Sequence, residues 1–429
     1  MLKSILVPRL DLYGRTFDIV VPSSKSLANR ALILAALSRG EFELRGDFEA
    51  EDIQIMMGAL REIGVGVGTI ETIRTIGTIG IRNDLSWMND GRDLELFLGN
   101  SGTSIRFLTS LVLFRKGKTI LTGKERMKER PIRDLVDALR QIGAEIEYLD
   151  QEGFPPLRVS GLTDLTGRVI KIRGDVSSQF LTSLLLVGSA FRENVEVLID
   201  GPLISQPYVE MTLDLLRKWD VTLQRGAEGF RTMPQQLMGA DMVIEGDASA
   251  ATYWWALEYL HQCVINVKNV QNDSKQGDVQ FKKVLNMLSN CTGEFEIDMN
   301  DMPDAAMTLM AVAPFHVASV TIRNIGSLRV KETDRIEAMA NELRKCGVVV
   351  ETGEDWVRVM GVGRLGNRGR LGDGGVVQIE TYDDHRIAMS MAVFGTMVGG
   401  LEILESDCVG KTYPHFWDDL FRIQAESEV

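Results

Sequence analysis

Cysteine, histidine and proline are scarce in this chain: four Cys, four His and eleven Pro among 429 residues. Cys263, Cys291, Cys346 and Cys408 lie far apart without a CxxC spacing, and no histidine pair has metal-ligand spacing. The common zinc and disulfide-framework signatures are therefore missing, and reduced, structural cysteines are expected. Positive charge is in deficit. The 47 Lys and Arg against 60 Asp and Glu give a net charge of −13, the wrong sign for a non-specific nucleic-acid binder. No apolar run approaches the roughly 20 residues that span a bilayer. The nearest candidate, from Ile387 to Leu401, is broken by Ser390, Gly395, Thr396 and Gly399-Gly400. The N-terminal stretch MLKSILVPRLDLYG has neither the apolar core nor the cleavage site of a signal peptide. These absences predict a cytoplasmic protein with no membrane or nucleic-acid partner. With 45% hydrophobic and 25% charged residues it is globular, and its length suggests two or three domains.

What is present is a repeat. Amphipathic helical stretches end in a break followed by a β-rich run at 53–70, 132–149, 209–223, 281–297 and 336–351. In the clearest, Leu135, Ala138, Leu139 and Ile142 fall at helical spacing, Gly143 suits the helix end, and 144–149 alternates as a strand. The breaks lie near Gly64, Gly143, Trp219, Asn290 and Gly347. Between them run helices that open on small polar residues and continue apolar on every side, starting at Ser24, Ser101, Ser177, Asp247, Pro303 and Asp384. Helices apolar all round belong in a domain interior. The chain thus reads as about six βαβα-type units in two halves, with helices inside and sheets outside. Boundaries are expected near Pro22 and Pro234.

Several helix starts carry more charge than a core needs. Ser24-Lys25-Ser26 with Arg30, Asn100-Ser101-Gly102-Thr103 with Arg106, and Ser177-Ser178-Gln179 combine backbone donors with cations or amides, an arrangement suited to anions. Taken singly, each is ordinary N-capping; it is the recurrence that points to ligands. Two denser runs, 329–335 and 381–386, precede apolar helices, and Lys331 and Arg335 are spaced as i,i+4 helix neighbours. Asp304 precedes another apolar helix. Lys25, Arg30, Arg130, Lys331, Arg335, Arg386 and Lys411 would repel by about 4 kcal/mol per pair if gathered at 4 Å in an effective dielectric near 20. Ligands bearing several negative charges would relieve that. The residues alone therefore suggest an enzyme for phosphorylated and carboxylated small molecules that needs no metal or other cofactor.

The segments PSSKSLANRALILAAL, LGNSGTSIRFLTS, KERPIRDLVDALRQIGAEI, GDVSSQFLTSLLL, EGDASAATYW, MPDAAMTLMA, RVKETDRIEAMANELRKCG, TYDDHRIAMSMAV and KTYPHFWDDL, in this order from residue 22 to 420, closely resemble the 5-enolpyruvylshikimate-3-phosphate synthase family. The resemblance implies an α/β fold of two inside-out α/β barrels, each of three βαβαββ units, hinged by two crossovers with the active site in the interdomain cleft. Residues 1–22 with 235–429 would form the domain carrying the catalytic and much of the phosphoenolpyruvate machinery. Residues 23–234 would hold shikimate 3-phosphate and part of the phosphoenolpyruvate site. The implied reaction moves the carboxyvinyl group of phosphoenolpyruvate to the 5-hydroxyl of shikimate 3-phosphate through a tetrahedral intermediate. By matching positions, Ser177, Ser178, Ser205 and Lys331 would contact the phosphate of shikimate 3-phosphate, Ser26 and Arg30 its carboxylate, and Tyr208 its ring. Lys25, Asn100, Gly102, Arg130, Gln179, Arg335, Arg386 and Lys411 would face phosphoenolpyruvate, with Lys25 facing both ligands. Asp304 and Glu332 are the expected proton carriers, with Lys25 and His385 also near the chemistry. The family is usually monomeric.

The chain departs from the family pattern at Ser23, Ser101, Phe107 and Ser327, where glycine, alanine, proline and asparagine are usual. Ser327 bears on a substrate contact, and Ser101 and Phe107 on the response to the inhibitor glyphosate. The stretch 64–80 matches no motif. The sister enolpyruvyl transferase acting on UDP-N-acetylglucosamine carries a cysteine in the loop corresponding to 117–131, which has none here. A non-catalytic homologue would be expected to lose Asp304, Glu332 or a cation; all are present. The chain's start at Met1 and polar end suggest a stand-alone enzyme rather than part of a fused polypeptide.

Overall fold

A computed structural model describes residues 3–70, 77–361 and 375–428. The chain divides into two compact units, Ser23–Glu245 and Met1–Pro22 with Gly246–Val429. The second crossing therefore falls at Glu245 and Gly246, beyond the boundary expected near 235. The cause is strand pairing: Leu237–Met238 and Met242–Val243 run parallel to Ser38–Arg45, and so hold residues up to Glu245 in the first unit.

All six apolar helices form. In the Ser23–Glu245 unit these are Lys25–Leu37, Gly102–Leu111 and Ser178–Val187; in the other, Ala248–His261, Ala306–Val312 and His385–Val398. Within each unit the three pack on one another, and every residue from Ala28 to Leu37 is buried. Side-chain caps set several starts: Ser24 accepts from the Leu27 N–H, Ser177 from Gln179, Asp247 from Ser249 and Ala250, and Asp384 from Arg386. Each unit has its own hydrophobic core.

Among the described residues, each unit has three sheets beside its helix trio. Leu94–Phe97 runs parallel to Lys118–Thr122, which pairs antiparallel with Leu157–Ser160, itself paired with Ile146–Tyr148. The same order recurs in Val169–Arg173, Val195–Asp200, Gly229–Thr232 and Leu223–Arg225, and in Phe295–Asp298, Val320–Arg323, Val357–Val359 and Val350–Thr352. Strands such as Val169–Arg173 alternate exposed and buried, so one face meets the helices and the other faces out. Amphipathic helices such as Arg133–Arg140 bury one stripe only, Leu135, Val136, Ala138 and Leu139. The breaks at Gly64, Gly143 and Gly347 carry φ of 110°, 100° and 79°, a left-handed turn that favours glycine. In the stretch 64–80, Gly66–Ile70 and Thr78–Asn83 form an antiparallel pair, and residues 71–76 lie outside the described residues.

Candidate active site

In the unit built from Met1–Pro22 and Gly246–Val429, acids and cations interleave at the starts of buried helices. The turn Pro303–Ala305 places Asp304 just before the helix Ala306–Val312. Its carboxylate accepts from Arg335 Nη1 and Arg386 Nη2, both at 3.1 Å, with Lys331 Nζ 3.7 Å away. Asp334 caps the helix Arg335–Lys345 by accepting from the Glu337 N–H, fixing Arg335 in its first turn. Lys331 precedes that helix, so the i,i+4 pairing expected for Lys331 and Arg335 is not made; both reach Asp304 instead.

Arg335 is the hub. Its Nε donates to Asp384 Oδ2 at 2.7 Å and its Nη2 to Asp384 Oδ1 at 3.2 Å, a two-pronged grip, while Nη2 also lies 2.8 Å from Glu332 Oε2. Lys411 Nζ stands 3.6 Å from Glu332 Oε1. Arg335, Glu332, Asp384, Arg386 and Lys411 are all buried. Burial alone would lower the Arg335 guanidinium, but Asp384, Glu332 and Asp304 together raise it. For Arg386 burial is again opposed, here by Asp304, Tyr253, Asp247 and Asp278, and the net shift is upward. The repulsion expected among gathered cations is thus largely answered inside the protein. Four cations, Lys331, Arg335, Arg386 and Lys411, thus interleave with the carboxylates Asp304, Glu332 and Asp384. Cations gathered in this way suit an anion. His385 is fully buried, with Nδ1 3.7 Å from Asp384 Oδ1, so Asp384 stands between it and Arg335. Ser327 is half-buried on the turn Gly326–Val330 that leads to Lys331.

In the Ser23–Glu245 unit, side-chain bonds tie the helix starts together. Arg130 Nη1 donates to the Asn100 carbonyl at 2.9 Å and to its Oδ1 at 3.3 Å. A Cβ at Gly102 would overlap the Arg130 guanidinium, so this cation lies flat on the glycine. Arg106 donates to Gln179 Oε1 at 2.7 Å and to the Pro131 carbonyl at 3.1 Å, while Gln179 Nε2 reaches Thr103 at 3.3 Å. Lys25 pairs with buried Asp52 at 3.0 Å. Arg30 holds Ser26 O at 2.7 Å, Thr212 Oγ1 at 2.9 Å and Tyr208 O at 3.2 Å, bringing Ser26, Arg30 and Tyr208 together. Burial pushes the Arg30 guanidinium down to about 10. Ser205, at φ 50°, opens the helix Gln206–Lys218, and Ser177 and Ser178 open the helix beside Gln179. A cavity of about 780 Å³ in this unit, lined by Phe114, Arg115, Phe191 and Arg192, adjoins the far ends of two of these helices and includes none of the site residues.

Motif reading assigns no role to Asp52, Asp278 or Asp384, and it marks Arg106 only as a cation at an anion-suited helix start, with no substrate. Asp52 and Asp384 sit in acidic helix starts visible in the sequence, whereas Asp278 is brought in only by tertiary packing. Three departures from the family pattern have local explanations. Ser23 Oγ accepts from the Asp47 N–H at 2.8 Å and donates to the Ile244 carbonyl at 3.3 Å. Ser101 shares a hydrogen bond with Ser104 at 2.8 Å. Phe107 is fully buried and its ring lies 5.5 Å from the Arg30 guanidinium carbon, supporting that cation. Among the described residues, no group of three or more His, Cys, Asp or Glu could hold a metal ion, and no helix is long and apolar enough to cross a membrane.

A family model described as EPSP synthase (3-phosphoshikimate 1-carboxyvinyltransferase) matches residues 16–420. The 3-phosphoshikimate 1-carboxyvinyltransferase of Actinobacillus succinogenes is 40% identical over 427 residues, covering 94% of this chain and 96% of that protein. That of Enterobacter sp. is 39% identical over 420 residues, covering 94% and 95%. A solved structure of EPSP synthase from Acinetobacter baumannii superposes with a TM-score of 0.77 at 22% identity, covering 98% of each chain, and shares the inside-out α/β fold.

Proposed function

The chain belongs to the EPSP synthase family, the 3-phosphoshikimate 1-carboxyvinyltransferases of aromatic amino acid biosynthesis, and from that premise we propose how its residues carry the transfer. The reaction joins the carboxyvinyl group of phosphoenolpyruvate to the 5-hydroxyl of shikimate 3-phosphate and releases phosphate. Ser177, Ser178, Ser205 and Lys331 bind the phosphate of shikimate 3-phosphate; Ser26 and Arg30 take its carboxylate and Tyr208 packs on its ring. Ser327 stands where a further contact to this substrate is expected. Lys25, Asn100, Gly102, Arg130, Gln179, Arg335, Arg386 and Lys411 serve phosphoenolpyruvate.

The observation that carries this reading is the Asp304 carboxylate, held by Arg335 and Arg386 and approached by Lys331, next to a second carboxylate, Glu332. A base and a proton carrier among fixed cations is what the chemistry requires. Asp304 accepts the 5-hydroxyl proton as that oxygen attacks the carbon bearing the phosphate. Glu332 delivers a proton to the methylene carbon and takes one back from the resulting methyl as phosphate leaves the tetrahedral intermediate. An anion that draws Lys411 and Arg335 onto itself leaves Glu332 with fewer cations to stabilise its charge, which favours its taking up a proton. His385 acts through Asp384 rather than on substrate. The working unit is a single copy of the chain, in the cytoplasm.

Steady-state kinetics on two variants tests the assignments. Ser178→Ala should raise the KM for shikimate 3-phosphate and spare that for phosphoenolpyruvate; Arg386→Lys should do the reverse. Equal effects of either variant on both ligands would overturn the division of roles.

A further inference from the structure

Asp278 is buried at 3% exposure and has no part in the mechanism above. It lies on the single turn Gly277–Gln280, which packs against the start of the helix Ala248–His261. Gln276 clamps that turn in place: its Nε2 donates to the Gly246 carbonyl at 2.8 Å and its Oε1 accepts from the Ala248 N–H at 3.0 Å. One carboxylate oxygen, Oδ2, accepts from Ser249 Oγ at 2.5 Å. The other, Oδ1, is buried without a hydrogen-bond partner. A carboxylate in that condition is costly when ionised. Burial, reinforced by the negative charge of Asp304, pushes this carboxyl up to about 7, while Ser249 and Arg386 oppose the shift and Asp247 adds to it.

We propose that Asp278 is a positioning residue for the transfer: while neutral it leaves the Arg386 guanidinium to Asp304 and to an anionic substrate, and once ionised it competes for Arg386 and repels that anion. Ser249, at the start of the Ala248–His261 helix, is hydrogen-bonded to it, and the charges that act on it are Asp247 at the same helix start, Asp304 before the Ala306–Val312 helix, and Arg386 on the His385–Val398 helix. On the adjoining helix Phe281–Ser289, Lys282 and Lys283 are exposed and supply no buried counter-charge. Asp247, Asp304 and Asp278 thus all act on Arg386, while Asp304 is also held by Arg335 and Lys331. Ionising a third carboxyl there weakens the hold on phosphoenolpyruvate while leaving the serines and Arg30 assigned to shikimate 3-phosphate untouched.

The inference rests on the role given above to Arg386, and it is tested by the pH profile of kcat/KM for phosphoenolpyruvate between pH 5.5 and 9. The native enzyme should lose this parameter progressively above neutrality, through KM more than kcat. Asp278→Asn keeps the shape and removes the titration, so its decline should be absent or displaced by at least a full pH unit. Ser249→Ala removes the one hydrogen bond that favours the charged form and should move the native decline to higher pH. These two variants perturb the turn differently, so misfolding of one leaves the other decisive. A native-like profile in a folded Asp278→Asn or Ser249→Ala protein would overturn the proposal. Failure of the family reading is distinct: the native protein would then release no phosphate at any pH.

Discussion

Gly102 and Arg130 offer a sharp quantitative test. An alanine Cβ at position 102 would overlap the Arg130 guanidinium, which is buried at 4% exposure and anchored to the Asn100 carbonyl and side chain. The backbone has no objection: Gly102 opens the helix Gly102–Leu111, and Ala is favoured over Gly in a helix by up to about 1 kcal/mol. The cost of Gly102→Ala therefore falls on the guanidinium, which must leave Asn100 and its position toward the anion. A hydrogen bond to a charged group contributes about 1.5–3 kcal/mol. Losing one such bond to phosphoenolpyruvate raises its KM roughly 10- to 150-fold at 1.4 kcal/mol per decade. Steady-state kinetics should show that rise with the KM for shikimate 3-phosphate within about a factor of two. Arg130→Ala should reproduce most of the loss, and the double variant should be no worse than the poorer single one. Unchanged phosphoenolpyruvate KM in Gly102→Ala, or additive losses in the double variant, would refute the reasoning.

Three further outcomes follow from the same geometry. Glu332→Gln should lower turnover by orders of magnitude while shikimate 3-phosphate still binds; turnover near the native rate would remove Glu332 from the mechanism. Arg335→Ala strips the guanidinium from fully buried Asp384, and denaturant unfolding should show a loss of about 3–5 kcal/mol; a loss below about 1 kcal/mol would mean the hub is not structural. His261 is buried, with its Nε2 2.9 Å from Thr396 Oγ1; that hydroxyl already donates to the Val393 carbonyl, so the ring donates to it. Burial pushes the imidazole from 6.5 down to about 4, against the opposing pull of Asp11. The unfolded chain therefore binds the extra proton, and stability is lost as pH falls from 6.5 to 4, by up to roughly 3 kcal/mol. His261→Gln should flatten that decline in urea titrations, and an equally steep decline would contradict it.

Much of the architecture is legible in the sequence because buried helices and their polar starts leave a strong local signal. Ser24, Ser177, Asp247 and Asp384 are caps followed by helices that run apolar on nearly every side, the pattern of a domain interior. The second crossing is not legible: Leu237–Met238 and Met242–Val243 are two residues each, too short to show a period of two. The antiparallel pair of Gly66–Ile70 and Thr78–Asn83 is hidden because glycines at 66, 68 and 80 interrupt its alternation. At the site, the cations are legible as residues, but their arrangement is not. Spacing suggests that Lys331 and Arg335 share a helix face. The Asp334 cap instead starts the helix after Lys331, and tertiary contacts gather Asp304, Glu332 and Asp384 around Arg335. Asp278 has no local signal, because only the turn clamped by Gln276 brings it toward Asp304 and Arg386.

The central claim is carboxyvinyl transfer to shikimate 3-phosphate, and phosphorus NMR of the purified protein with phosphoenolpyruvate tests it most directly. With shikimate 3-phosphate present and no metal added, the phosphoenolpyruvate resonance should disappear as inorganic phosphate and a shifted shikimate-phosphate resonance grow in equal amounts. With UDP-N-acetylglucosamine in its place, the spectrum should stay unchanged. Phosphate appearing only with the nucleotide sugar would move the chain to the sister transferase. No change with either acceptor, from folded protein that binds shikimate 3-phosphate, would contradict the account.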